Sequence, residues 1–215
     1  NVVLGDNCRL HSHVVVEGQT EIGADCEIFP FSSIGHIPQD KKFVGEASRL
    51  IIGEKNIIRE NLTMNPVTEG GGLTTEVGSH GLYMVGAHVA HDCKVGDNVI
   101  MANNATLAGH VHLGDWVICG GFSGIHQFCK VGAHAFLGMY AGINRDVPAY
   151  TTVSGQPAVP RGINSEGLKR RDFSTDQIRN IKNAYRLTFR QGKKLAEAIA
   201  EIAELSRHQP ELEPF

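Results

Sequence analysis

Aromatic residues make up only 7% of the 215-residue chain, with a single Trp. There is no run of 18 apolar residues, which excludes a membrane-spanning helix at sequence level. No Cys-x-x-Cys pair occurs among the five cysteines, so ribbon-type zinc sites and thioredoxin-like redox motifs are excluded. An odd, unpaired cysteine set points to small apolar filler in a reducing, cytoplasmic compartment. The formal net charge is only −3, and no segment reads as a secretory signal. Charge at 20% against 41% apolar residues is the balance of a folded domain, not a disordered chain. Glycine, in contrast, is abundant at 25 residues. It follows no Gly-X-Y period and is interleaved with Val, Ile and Leu, so frequent sharp turns are the reading that survives.

A period of six explains those turns. Steps of six from Leu4 fall on Leu10, Val16, Ile22, Ile28 and Ile34. The frame resumes at Ile52, Ile58 and Met64, slips by one, and runs from Val77 to Ile143 with an apolar residue at every step. Four residues after each anchor of the long block the residue is small or β-branched, from Gly81 and Ala87 to Ala141 and Val147. Glycine often follows the anchor, as at Gly23, Gly35, Gly96 and Gly114, and suits either a close backbone approach or a positive φ. Six residues are a short strand plus a corner, and three such units close a triangular coil of 18. The fold class is therefore mainly β, a parallel β-helix, and the repeat resembles that of the left-handed parallel β-helix, an exception to right-handed crossovers. It occupies residues 1–160, with loop insertions at about 36–51 and 65–76. Asn1 already sits inside a repeat, so the sequence reads as N-terminally shortened, and Gly70–Gly72 reads as a disordered loop.

Residues 161–215 change character. Ser174 to Gln177 resembles a capping box, apolar residues follow at helical spacing, and Gly192 suits a helix stop. Leu195 to Leu205 is a second amphipathic stretch, so a small C-terminal α-helical domain is expected to cap the last coil. Residues 161–194 hold ten Lys/Arg against three Asp/Glu, a patch suited to an acidic protein partner. No groove-reading motif accompanies it, so no nucleic-acid partner is expected.

Coil arithmetic also groups the histidines. Asp92 plus 18 is His110; His91 plus 18 is Gly109, and plus 36 is Gln127. At about 4.8 Å per coil these residues line one edge. Three chemistries compete for such an edge. A metal centre needs about three converging ligands, and His88-x2-His91 lacks the His-x4-His spacing of β-helical carbonic anhydrases. A bare structural solenoid would show flat Ser/Thr-rich faces without long insertions. Acyl transfer needs a base near neutrality (His91), a carboxylate to orient it (Asp92) and a backbone N–H for the oxyanion (Gly109).

The runs VGAHVAHDCKVGDNVIMANNATLAGHV (85–111), IHQFCKVGAH (125–134), INSEGLKRR (163–171) and PQDKKFVGE (38–46) resemble the UDP-N-acetylglucosamine acyltransferases of lipid A biosynthesis. The likeness extends from about residue 3 to beyond 205. The related N-acyltransferase of the pathway usually has a uridine-binding domain and lacks NSEGLKRR. The resemblance implies transfer of a 3-hydroxyacyl chain from acyl carrier protein to the 3-hydroxyl of UDP-N-acetylglucosamine, by a homotrimer with sites between subunits. It implies His91 as base, Asp92 as its partner and Gly109 as oxyanion donor. It implies substrate contacts at Asp40, Lys42, His88, His110, His126, Gln127, Asn164, Glu166, Arg170 and Arg171, and an acyl-chain ruler at Met139. No metal and no cofactor are implied, the donor's phosphopantetheine arm being part of the substrate. The alternatives are an acetyl-CoA-dependent hexapeptide acetyltransferase, an acyltransferase on an amino-sugar nucleotide, and a non-enzymatic scaffold. Asn65 and Pro66 replace the His-Arg of many relatives, and Met139 stands where some have glycine.

Overall fold

The computed structural model describes residues 1–68 and 74–215; Gly70–Gly72 lie outside them. Short parallel strands stack into three sheets that form the sides of a triangular solenoid. The first face runs from Val2–Leu4 to Lys130–Val131, the second from Arg9–Leu10 to Val159–Ile163, and the third from Val15–Val16 to Gly142–Ile143. Partners in neighbouring coils are one full triangular turn apart along the chain, as in Val77 with Val95 and His88 with Thr106. Many strands are very short because the chain must turn at every hexapeptide. The ladder still holds, since backbone N–H groups in and beside the strands donate to carbonyls of the next coil.

The insertions explain the frame. Ile22 pairs with Ile52, so the first insertion lengthens its coil by a whole number of hexapeptides and preserves the phase. Ile52 pairs with Val77, so the second lengthens its coil by one position more than a hexapeptide and shifts the phase by one. Every anchor from Ile22 to Ile143 is buried, and so are the small residues four positions later. The two sets interlock by volume: Tyr83 is a fully buried anchor, and a Cβ on Gly81 would lie 2.5 Å from its ring. Leu4 and Leu10 differ. Both are exposed in the first coil of the sequence. Val147 also departs from the frame. It pairs with Val131 short of a full turn and so takes an anchor's place.

The glycines that follow the anchors serve close approach, not positive φ. Of the ten glycines that directly follow an anchor, only Gly35 has a positive φ. A Cβ on Gly114 would instead meet the Ala133 backbone nitrogen at 2.6 Å. Most left-handed corner positions carry Asn, Asp, His or aromatic side chains, including Asp92, His110, Trp116 and His134; Lys55, Gly18 and Gly86 are among the others. One coil apart, these side chains stack along the corners: His110 on Phe128 at 4.5 Å and His134 on Tyr150 at 5.4 Å. The five cysteines are free thiols; burial pushes the Cys93 and Cys119 thiols up to about 12.

At the C-terminal end, Val159–Ile163 pairs antiparallel with Thr151–Ser154 and covers the edge of the second face. That strand crosses the 160/161 boundary. Three helices follow: α1 (Ser165–Lys169), α2 (Thr175–Phe189) and α3 (Leu195–Ser206). Ser174 and Gln177 form a reciprocal capping box at the start of α2. Ile181, Ala184 and Leu187 of α2 pack with Ala149, Tyr150 and Ile202 in a second core, and the Tyr150 hydroxyl donates to the Glu211 carbonyl at 2.8 Å.

His134 links the solenoid to these helices. Its ring lies between Trp116 and Tyr150, and its Nδ1 accepts from the Arg171 guanidinium at 3.1 Å. Burial, followed by Arg171, pushes His134 down to about 4 from 6.5. As pH falls through that window the unfolded chain takes up a proton that the folded chain does not, so stability drops. His134→Phe preserves the stack and removes the titration. Its melting temperature is expected to fall less than that of the wild type between pH 6.5 and 4; an unchanged slope in thermal melts would contradict this.

Candidate active site

Three corners join the faces. His91, Asp92, Gly109 and His110 share the corner between third and first faces, as the coil arithmetic predicts. The His91 ring is buried, and its Nδ1 lies 2.7 Å from Asp92 Oδ2. An imidazole that donates from Nδ1 to a carboxylate leaves its Nε2 as a lone-pair base. Adjacent side chains can meet this way because Asp92 has φ +62°, which folds the corner sharply. The Asp92 carboxylate is buried with one oxygen, Oδ1, lacking a partner among the described residues.

The next coil holds the Nε2 side. A Cβ on Gly109 would sit 2.4 Å from His91 Cε1 and 2.6 Å from Nε2, so glycine alone allows this ring position. The His110 ring meets His91 edge-on at 5.3 Å, and its Nε2 lies 3.8 Å from Asp92 Oδ2. The first insertion brings Asp40 to the same place, with Oδ2 3.7 Å from His91 Nε2. Asp40 Oδ1 accepts from the Lys42 backbone N–H at 3.0 Å, a local turn that orients the carboxylate, while the Lys42 side chain is exposed. His88 stands one strand earlier, its Nδ1 2.7 Å from Thr63 Oγ1; burial, followed by His91, lowers its pKa.

Three residues here were not legible as site residues in the sequence. Thr68 directs both its N–H and its hydroxyl at Asp92 Oδ2. Thr75 accepts from the Asp92 N–H at 2.9 Å. Asn65 is buried, and its amide donates to the carbonyls of His36 at 3.0 Å and Ile37 at 3.3 Å, tying the first insertion to the solenoid. Asn65 thus serves as a loop tether. Asn65 and Thr68 lie in the second insertion and Thr75 on the strand Thr74–Val77 that follows it, all outside the run of anchors.

His126 and Gln127 lie exposed at the same corner two coils on. His126 borders a groove of about 590 Å³ on the third face, floored by Gly124 and Gly142 and closed by Gln156 and Pro157. A Cβ on Gly124 would meet nothing within 4 Å, so the groove is open along bare backbone. Met139 is exposed at the corner where the second face turns into the third.

Asn164, Glu166, Arg170 and Arg171 lie elsewhere. Asn164 caps α1 and donates to the His134 carbonyl at 3.0 Å. Glu166 pairs with Lys169 at 2.8 Å, and Arg170 is exposed. Arg171 stacks on Trp116 at 4.9 Å and donates to its carbonyl. This is the corner between first and second faces, so within one chain these groups and His91 line different edges.

His91, Asp92 and His110 bring potential ligand atoms within 4.8 Å of one another. Their closest pair is a 2.7 Å hydrogen bond, and Asp92 Oδ2 also accepts from Thr68. A tetrahedral zinc separates its ligands by roughly 3.3 Å and needs their lone pairs free. The arrangement is that of a hydrogen-bonded acid–base pair beside an apolar groove.

Those features, a hexapeptide solenoid with a buried His–Asp pair at one corner, define a β-helical transferase. The comparisons narrow the class. A family model described as UDP-N-acetylglucosamine O-acyltransferase, domain 2, matches residues 146–215. The structure of LpxA from Acinetobacter baumannii is 47% identical with a TM-score of 0.96, over 99% of this chain and 83% of that one. The UDP-N-acetylglucosamine acyltransferase of Francisella novicida is 40% identical with a TM-score of 0.98, over 100% and 79%. The Arabidopsis enzyme of the same name is 34% identical with a TM-score of 0.91, over 100% and 78%. The chain belongs to the UDP-N-acetylglucosamine acyltransferase family, and its solenoid is the left-handed parallel β-helix of that family.

Gly109→Ala is expected to leave the solenoid folded while displacing the His91 ring from Asp92. A crystal structure of the variant reads this directly; an undisturbed 2.7 Å contact would refute the packing argument.

Proposed function

We propose that the protein transfers a 3-hydroxyacyl chain from acyl carrier protein to the 3-hydroxyl of UDP-N-acetylglucosamine, opening lipid A biosynthesis. The observation that carries this reading is the buried His91–Asp92 pair with its Nε2 turned toward Gly109, in a chain of this family. His91 Nε2 takes the proton of the sugar hydroxyl as its oxygen attacks the thioester carbonyl. Asp92 stabilises the imidazolium that forms. The Gly109 N–H, which has no acceptor among the described residues, stabilises the oxyanion. Collapse of the intermediate breaks the C–S bond, and the imidazolium returns its proton to the departing phosphopantetheine thiolate. No metal or cofactor takes part.

Asp40, Lys42, His88, His110, His126 and Gln127 surround the acceptor in this reading. The third-face groove takes the acyl chain, whose length Met139 limits from the neighbouring corner. Asn164, Glu166, Arg170 and Arg171 bind the nucleotide, Arg170 as a charged partner for phosphate. Their place on another corner supports a homotrimer in which one subunit's segment meets the next subunit's His91. The basic 161–194 region suits the acidic carrier protein. Among the described residues no helix is long and apolar enough to cross a membrane, and the free thiols suit the cytoplasm.

Incubation with acyl carrier protein thioesters or acetyl-CoA, and with UDP-N-acetylglucosamine or its amino-sugar analogue, tests the proposal by product mass. A 3-hydroxyacyl ester of UDP-N-acetylglucosamine is expected, and His91→Ala should lower its formation by about 100-fold or more with the fold intact. Retention of a tenth of the activity would overturn the base assignment. Met139→Gly should shift preference to longer chains in a competition among 3-hydroxyacyl donors; an unchanged profile rejects the ruler.

A further inference from the structure

We propose that Thr68 is a positioning residue for the His91–Asp92 pair, fixing the carboxylate and through it the His91 tautomer. The inference rests on the proton-transfer role given to His91 above. Thr68 is buried, and its backbone N–H and hydroxyl reach Asp92 Oδ2 at 3.2 and 3.1 Å. The same oxygen receives the His91 Nδ1–H at 2.7 Å. Three donors thus converge on one carboxylate oxygen, two of them from a single residue. Charge-assisted bonds of this kind are stronger than neutral ones and fix geometry.

The need for such a clamp comes from a competing histidine. His110 Nε2 lies 3.8 Å from Asp92 Oδ2, so two imidazoles face one carboxylate. A carboxylate turned toward His110 would release the Nδ1–H of His91, and the ring could then carry its proton on Nε2, where it cannot act as base. Asp40, 3.7 Å from His91 Nε2, would favour that wrong tautomer by accepting the proton. His88, one strand earlier, feels the His91 ring through space, and the buried Cys93 thiol feels Asp92. Against these, the Thr68 hydroxyl holds Oδ2 in place, while Thr75 holds the Asp92 backbone N–H at 2.9 Å.

Thr68 is itself held. The insertion enters the solenoid through Asn65, Pro66 and Val67, all buried, and Asn65 bonds to the first insertion. The two insertions therefore meet at the pair, one presenting Asp40 to Nε2 and the other presenting Thr68 to the carboxylate.

The test compares Thr68→Val, which retains shape and loses the hydroxyl, with Thr68→Ser, which restores the donor. Ring ¹⁵N spectra of histidine-labelled full-length protein, with His91 assigned by its absence in His91→Gln, report which nitrogen carries the proton. The wild type and Thr68→Ser are expected to show it on Nδ1, and Thr68→Val to show a mixture. In the acyl-transfer assay, Thr68→Val should lower kcat by about tenfold with the acceptor KM within about twofold, and Thr68→Ser should recover most of it. A wild-type ring spectrum and kcat in Thr68→Val would overturn the proposal, as would a wild-type His91 protonated on Nε2. If the valine variant does not fold, Thr68→Ala provides the same comparison. Failure of the wild type to transfer acyl groups would count against the proposed reaction, while the ring spectrum would still decide the role of Thr68.

Discussion

Everything in this protein depends on the backbone ladder between successive coils. Parallel pairing spaces neighbouring chains by about 4.8 Å, and the solenoid applies that spacing on all three sides at once. Side chains inside must therefore stack in register. Anchors are apolar, corners are small, and a glycine follows wherever a Cβ would enter the next coil's backbone, as at Gly114. The glycine excess records that crowding more than it records unusual dihedrals. Positive φ falls mostly on Asn, Asp, His and aromatic residues, and rings among them stack along each corner.

The same ladder builds the chemistry. It places Gly109 one coil from His91 and His110 one coil from Asp92, with no freedom to drift. The tight corner, with Asp92 at positive φ, lets two consecutive side chains form the pair. What the ladder cannot supply is a wall around that pair. The insertions supply it, leaving the solenoid at its corners without breaking the pairing of the coils they separate. Asp40 arrives from one insertion and Thr68 from the other.

The C-terminal segment shows the same division. Its helical spacing and capping box are visible in the sequence and present in the structure. The antiparallel strand Val159–Ile163 is not visible, because it follows neither the six-residue frame nor a hairpin of alternating residues. Nor do residue types show that Asn164 serves as a helix cap or that Arg171 stacks on Trp116. Both are consequences of where α1 packs.

Sequence alone determined the solenoid, its insertions, and the shared corner of His91, Asp92, Gly109 and His110. It could do so because a fixed coil period converts separation along the chain into position in space. Only the tertiary structure decided what surrounds that corner: Thr68 and Thr75 on Asp92, Asn65 on the first insertion, Asp40 toward Nε2, and the basic segment on a different edge. The insertions and the helical cap have no period, so their contacts come from packing against a surface that must first exist.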